Sequence, residues 1–329
     1  MEKVKYLLQG IDLDDAVGIE IGALDKPVVP PSTKGIFYVD YTDTQTLRER
    51  YSQDPNVDVN RIVTVHGIWG EKTLSEAAQS ITPVDFVIAS HVIEHVPDLI
   101  AWLQEIAATL KTGGELRLAV PDKRYTFDVL RSESDFADVL SAHLVRARVP
   151  QPRQVIDHMV NYAPVDCAKL WADEVDLNAL HRYHPISSGE AVAMDVISNG
   201  TYHDVHCWVF TPASFINLME QLAIAGYLPL KCADMTDTCH NNLEFFATVK
   251  RCEDKKEILE SWAAARNGII AKKKERSVEE KAFQQRIEEL EETIQQLERS
   301  KQEALDQVFL SKSWRITAPV RALARWLRR

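Results

Sequence analysis

Five short runs of apolar and β-branched residues recur through the first 121 positions: VGIEI (17–21), IFYVD (36–40), IVTV (62–65), FVIAS (86–90) and ELRLAVP (115–121). Each is long enough to cross a sheet and too short for a buried helix, and the spacers between them are long enough to carry a helix or a long crossover. Strand, crossover, strand in repetition requires parallel pairing, which predicts an α/β, Rossmann-like, mostly parallel sheet wrapped by helices. In the last spacer, LIAWLQEIAATLKTGG places Leu99, Leu103, Ile106 and Leu110 at helical spacing, with Gly113 and Gly114 as the expected stop. The pattern resumes at TPASFINLMEQLAIAGY (211–227), a helix with Thr211 as cap, Pro212 in its first turn and Gly226 at its end. LPLKCAD and LEFFATVK then bring the expected sheet to seven strands.

Residues 122–205 interrupt this alternation, being rich in Arg, His, Asp and Pro with weaker periodicity. They are expected to form a helical lid inserted over the carboxyl edge of the sheet. Past residue 252 the chain becomes a heavily charged helical run in which Phe283, Ile287, Leu290, Ile294 and Leu297 alternate by four and three. The pattern continues less regularly through Lys301 and Ala304 to Val308. This is the spacing of a short coiled coil; a lone solvated helix docked on the main domain is the other reading. The expected parts are therefore 1–252, 253–310 and 311–329.

Charge is unevenly distributed. Of 38 basic and 49 acidic side chains, 12 and 14 fall in 251–310 and six and none in 311–329, leaving 20 and 35 on the first 250 residues. An acidic body repels a phosphate backbone, so no nucleic acid is expected as a partner. No run of about 18 apolar residues is present to span a bilayer, and MEKVKYLLQGIDLDD lacks the apolar centre and cleavage site of a secretory signal. Five cysteines without a C-x-x-C fit reduced thiols. A cytoplasmic chain is expected.

In an open parallel sheet, ligands bind beyond the carboxyl ends of the strands near the reversal of strand order. The first strand ends in GIEIGALDKP, where Glu20 is placed to hold an ammonium or a bound water and Gly22 lets the backbone pass close to a ligand. The turn holds one glycine and is followed by Pro27, Pro30 and Pro31, unlike the G-x-G-x-x-G of a dinucleotide site. The second strand ends at Asp40, about 20 residues past Glu20, where a carboxylate accepts both hydroxyls of a ribose. That spacing narrows the ligand to a nucleoside; capping of YTDTQTLRERY is the alternative role. The fourth strand ends in SHVIEHVPD, delivering Ser90, His91, Glu94 and His95 together. Asp122, Arg124 and Tyr125 follow the fifth strand: Asp122 to orient an acceptor hydroxyl and Arg124 to clamp a phosphate or carboxylate, or else to pin the lid by a salt bridge. The lid carries HRYH (181–184) and HDVHC (203–207), pairs that would share a helical face, but no compact Cys or carboxylate set accompanies them and no metal is expected. His206 with Trp208 is instead expected at the acceptor pocket or packed beneath it.

Four segments in order, GIEIGALDKP, YVDY, VDFVIASHVIEHVPD and LKTGGELRLAVPDKRYTFD, resemble the motif series of S-adenosylmethionine-dependent methyltransferases with the Rossmann-like fold. Within these they most resemble the bacterial methyltransferases found with polysaccharide-building glycosyltransferases. The resemblance covers roughly residues 15–130 and 205–250. It implies S-adenosylmethionine as cofactor, with Glu20 and Gly22 at its methionine part, Asp40 at its ribose, and Ser90 and His91 beside the sulfonium. The chain departs at strand three, where VHGIWGEK replaces the acidic residue expected near adenine and leaves His66 to Trp69 to line that pocket. With the methyl group already activated, the protein must align a nucleophile and exclude water. A sugar hydroxyl must also lose a proton, for which His91 and His95 are the candidate bases; bracing of the next helix by Glu94 and His95 is the other account.

The last stretch, SKSWRITAPVRALARWLRR, resembles the C-terminal segment of bacterial surface-polysaccharide glycosyltransferases and associated methyltransferases. In it Pro319 can open a helix with Val320, Leu323 and Leu327 on one face, Trp326 at its edge, and Arg321, Arg325 and Arg328 largely opposite. Such a helix suits an anionic membrane surface or an acidic partner protein. The expected protein O-methylates a glycan or glycan precursor, self-associates through the coil, and sits peripherally at the inner membrane surface beside a glycosyltransferase. A quinone-type or other small-molecule methyltransferase, which VIEHVPD also resembles, and a non-catalytic scaffold for glycosyltransferases are the rival readings.

Overall fold

The computed structural model describes residues 2–70 and 72–320, and the chain divides into two units, Met1–Asn267 and Gly268–Arg329. The first unit is built on a seven-stranded sheet of order β3-β2-β1-β4-β5-β7-β6. Its strands are β1 (Gly18–Ile21), β2 (Ile36–Asp40), β3 (Gly67–Ile68), β4 (Val84–Ser90), β5 (Leu110–Pro121), β6 (Leu230–Thr236) and β7 (Glu244–Arg251). The helices are α1 (Glu2–Leu8), α2 (Thr44–Arg50), α3 (Leu74–Ala77), α4 (Leu99–Thr109), α5 (Phe136–Leu144), α6 (Pro152–Asn161), α7 (Cys167–Trp171), α8 (Ile186–Asn199) and α9 (Pro212–Ala225). The 56-residue α10 (Lys255–Leu310) and α11 (Lys312–Ile316) follow.

Strands β3, β2, β1, β4 and β5 are mutually parallel, and β7 runs antiparallel between β5 and β6. The expected α/β, mostly parallel sheet is the fold observed. Its centre is apolar on both faces, as parallel strands covered by helices must be: Val87, Ile88 and Ala89 of β4 and Leu116, Leu118 and Val120 of β5 are fully buried. Gly18 permits this packing, because the Phe86 ring crosses β1 so closely that a Cβ at position 18 would lie 2.1 Å from it.

Sequence and structure part in three places. The expected strand IVTV (62–65) is not one; the third strand is the two-residue β3. The reason is local: Thr44 Oγ1 bonds Val63 O and takes the Val65 amide, while the ring of His66 fills the missing rung by accepting the Tyr38 N–H at Nδ1, 3.0 Å away. His66 is thus a sheet-edge residue, and Trp69 turns its indole N–H to Glu105. Secondly, α4 ends at Thr109 and β5 begins at once, so Gly113 and Gly114 lie inside the strand and not at a helix stop. Thirdly, α1 is a helix the periodicity did not reveal: Leu7 is buried, Tyr6 stacks on Phe246, and Arg117 of β5 holds the carbonyls of Tyr6 and Gln9.

The first turns of α10 belong to the first unit. Ile258 and Trp262 are buried, with the Trp262 indole donating to Leu230 O at 2.9 Å. In the second unit, Leu290, Ile294, Leu297 and Leu305 are exposed on the helix. The side chains of Phe283 and Val308, and the tail residues Arg321, Leu323, Arg325, Trp326, Leu327 and Arg328, lie outside the described residues. Among the described residues no helix is long and apolar enough to cross a membrane.

Candidate active site

Strand order reverses between β1 and β4, so the crevice of this sheet opens there. Register places Ile21 beside Val39 on one side and Ala89 on the other, and Ser90 beside Ala119. Gly22, Asp40, Ser90 with His91, and the residues after Pro121 therefore share one edge. Gly22 takes a left-handed φ of 66°, and a Cβ there would press on Val92 at 3.2 Å; glycine keeps the turn open at the mouth of the crevice. Beside it, Asp40 is buried, its Oδ1 accepting the Tyr41 amide at 2.7 Å. Burial pushes its carboxyl up to about 6, against the pull of the Tyr41 amide and Arg50.

Glu20 has a different task from the one expected of it. Its two carboxylate oxygens accept the amides of Val28 and Val29 at 2.6 and 2.9 Å, so it braces the proline-rich loop after β1 from inside and does not face out for an ammonium. Burial raises its pKa from 4.5 to about 7 despite those amides. Between these two values the folded chain holds a proton that the unfolded chain has released. Stability from this group is therefore full below 4.5 and is lost as pH rises towards 7. We expect Glu20→Gln to flatten that slope, and at about pH 5 to cost about 1–3 kcal/mol because a carboxamide nitrogen cannot accept an amide N–H. Urea denaturation across the pH range measures both.

His91 adopts φ 55°, a strained setting for a non-glycine residue, and its Nε2 lies 2.6 Å from Oε2 of the buried Glu244 of β7. Lys3 of α1 bonds the same carboxylate at 3.1 Å and donates to Ser90 Oγ at 3.1 Å. Burial would raise Glu244, yet His91 and Lys3 hold it below its ordinary value, so it remains a carboxylate. His95 lies 2.9 Å from Asp204 by its Nδ1, close enough for an ion pair though off the hydrogen-bonding direction. Burial opposes the charged imidazole, but Asp204 and Glu94 raise its pKa. Its ring meets that of His206 edge-on at 4.8 Å.

At the rim after β5 the structure shows the salt-bridge alternative and not the acceptor-binding one. Asp122 is fully buried and caps the following turn, its oxygens taken by the Arg124 amide, the Arg124 guanidinium and Thr238 Oγ1. Arg124 spans Asp122 and Asp237, so the pair pins the chain instead of presenting a clamp and a hydroxyl-orienting carboxylate to an acceptor. Tyr125 stacks flat on Trp171 at 3.8 Å. Neither H-x-x-H pair lies on a helix: 181–184 and 203–207 are irregular, His203 bonds Asp195, and His206 bonds the buried Asp128 at 2.6 Å. Trp208 is core, its indole donating to Val96 O. Lys3, Glu244, Asp128 and Asp204 were not picked out from the sequence; each is one charged residue among many, and only the fold brings it to the histidines.

A Rossmann-like sheet with an open switch point fits several chemistries. What decides among them is that residues 17–222, from β1 through most of α9, match the family described as Methyltransferase domain. The chain belongs to that methyltransferase family. Its methyl donor is S-adenosylmethionine, and Gly22 and Asp40 lie at the carboxyl ends of β1 and β2, where the strand order reverses. No curated protein matches. Among solved structures this methyltransferase is similar to a Rhodobacter sphaeroides protein named "Putative Zn-dependent Alcohol Dehydrogenases", at 11% identity and TM-score 0.42 over 76% of this chain and 89% of that one. It is also similar to the CcbJ methyltransferase from Streptomyces caelestis, at 12% identity and TM-score 0.39 over 76% and 94%. A third is a SAM-dependent methyltransferase from Methanosarcina mazei, at 12% identity and TM-score 0.33 over 73% and 94%. At such scores these structures speak to neither substrate nor mechanism.

Proposed function

We propose that this methyltransferase O-methylates a hydroxyl of a glycan, or of its lipid-linked or nucleotide-linked precursor, at the cytoplasmic face of a membrane. The observation that carries the hydroxyl acceptor is the His91–Glu244 pair at the carboxyl end of β4. Bound cofactor supplies a methyl group already activated by positive sulfur. An alcohol oxygen must shed its proton as it attacks, so a base has to face it. Glu244 accepts the Nε2–H of His91, which leaves the Nδ1 lone pair for that proton and a buried carboxylate to stabilise the resulting imidazolium. In this reading Asp40 binds the ribose diol, Gly22 passes the methionine portion, and Ser90, positioned by Lys3, lies beside the reacting carbon.

Support for a sugar comes from the four resembling motifs and the tail. The exposed Leu290, Ile294 and Leu297, spaced by four and three, support self-association through α10. Six basic and no acidic residues in 311–329 support contact with an anionic inner leaflet, where two tails hold better than one, and where a glycosyltransferase is the proposed partner.

Incubation with labelled cofactor and fractionated cell-envelope glycans, followed by mass analysis, is expected to show one methyl gained on a sugar hydroxyl. Label confined to a small lipid-soluble metabolite would overturn the glycan reading. For the cofactor end, Asp40→Asn is expected to weaken adenosylhomocysteine binding by about 10- to 100-fold, the worth of a charged hydrogen bond. In the parent protein the same affinity should fall as pH drops through about 6, where Asp40 takes up a proton. Calorimetric titration at several pH values reads both effects.

A further inference from the structure

Glu94 is 1% exposed, and neither of its carboxylate oxygens has a hydrogen-bond partner. A buried carboxylate without donors is costly to keep, and a bound cation is one way to offset that cost. The nearest titratable nitrogens are His91 Nδ1 at 3.6 Å and His95 Nε2 at 3.9 Å from Oε1, both beyond hydrogen-bond reach. A third imidazole, His206, comes from the segment joining α8 to α9. One donor atom each from Glu94, His95 and His206 lies within 4.8 Å of the others, the one such three-residue group among the described residues.

The histidines are set as metal ligands are. His206 gives Nδ1 to Asp128 at 2.6 Å, and Asp128 is itself held by Arg131 at 2.9 Å, so the nitrogen left over is Nε2. His95 turns Nδ1 towards Asp204 and Nε2 towards Glu94. A carboxylate beside each imidazole biases which way its ring faces. The backbone is equally fixed, since the amides of Cys207 and Trp208 both bond Glu94 O and the Trp208 indole bonds Val96 O.

We propose that Glu94, His95 and His206 form a binding site for one divalent transition-metal cation such as Zn²⁺ or Co²⁺. Two imidazoles and one carboxylate are donors that this class prefers, and three protein ligands leave at least one position open to an outside oxygen. The site lies one helical turn past His91, so the outside oxygen there is that of the acceptor. This last role rests on the O-methyltransferase reading; cation binding itself does not. The H-x-x-H spacing seen in the sequence contributes only His206, and its partners come from the turn after β4.

The full-length protein, stripped with chelator and dialysed, is titrated with Co²⁺ while visible absorption is followed, and with Zn²⁺ by calorimetry. We expect one equivalent to bind saturably, with the intense absorption of a four- or five-coordinate nitrogen-ligated ion. Glu94→Gln, which keeps shape and removes charge, and His206→Ala should each abolish that binding. Asp128→Asn, which leaves all three ligands in place, should weaken it about 10- to 100-fold. Thermal melting of each variant confirms folding; if His206→Ala fails to fold, Glu94→Gln and the wild-type spectrum decide. The proposal is overturned if the wild type takes up no stoichiometric cation, or if Glu94→Gln binds as tightly as the parent. Adenosylhomocysteine titrated into the same samples separates the two readings: its binding without cation uptake removes only the metal site, and cation uptake without its binding removes the cofactor crevice.

Discussion

Replacing His91 with asparagine is expected to lower kcat by about 100-fold or more, the lower end of what a positioned base contributes. Asparagine is chosen because residue 91 sits at φ 55°, a region it tolerates better than alanine, so the backbone at the end of β4 stays in place. Loss should fall on kcat far more than on KM for either substrate, because the imidazole acts as the proton leaves. Glu244→Gln should lose less: it keeps a hydrogen-bond partner for Nε2 but not the charge that stabilises the imidazolium. Steady-state kinetics with an acceptor found by the labelling experiment measures both. Full turnover by the asparagine variant would remove His91 from the reaction.

The second large effect concerns stability and lies far from the chemistry. Trp262→Ala is expected to destabilise the first unit by about 3–5 kcal/mol, the range for emptying a tryptophan-sized site. The indole is fully buried, packs edge-on to Phe215 and donates to Leu230 O, so the substitution opens a cavity between α9 and β6. Urea denaturation of the two proteins reads the difference. The same packing implies that a chain cut after residue 252 is less stable than one cut after Asn267, because it lacks both Ile258 and Trp262.

The sheet was legible because burial on both faces writes its strands as unbroken apolar runs: IFYVD is β2 to the residue, and FVIAS and ELRLAVP fall inside β4 and β5. The third strand was not, because a threonine hydroxyl and a histidine ring replace its backbone partners, and side-chain substitution of that kind leaves no periodic trace. Helix α9 was read from Thr211, Pro212 and Gly226, whose capping chemistry is local. Helix α1 was missed because its seven residues carry too few turns for a face to show.

The site divides along the same line. Gly22, Asp40, Ser90 and His91 could be placed at the carboxyl edge because the sheet's geometry says where strand ends go. Their roles were harder to read. Glu20 looked like a ligand for the cofactor because nothing in GIEIGALDKP tells that its carboxylate folds back onto Val28 and Val29. Asp122 and Arg124, two positions apart and opposite in charge, satisfied each other. The partners that orient His91, His95 and His206 come from 153, 109 and 78 positions away along the chain, a separation that no motif spans.

Glu244 stands opposite Pro121 in the antiparallel ladder of β5 and β7. Side chains alternate faces along a strand, so a shift of that pairing by one residue would carry the carboxylate to the reverse side and leave His91 unaccompanied. If His91 is the base proposed, catalytic competence is a late acquisition in synthesis, delayed until the penultimate position in the sheet has been threaded between its neighbours in the correct alignment. Translation intermediates that stop short of β7 have the strand ends of β1, β2 and β4 but lack the carboxylate partner of His91.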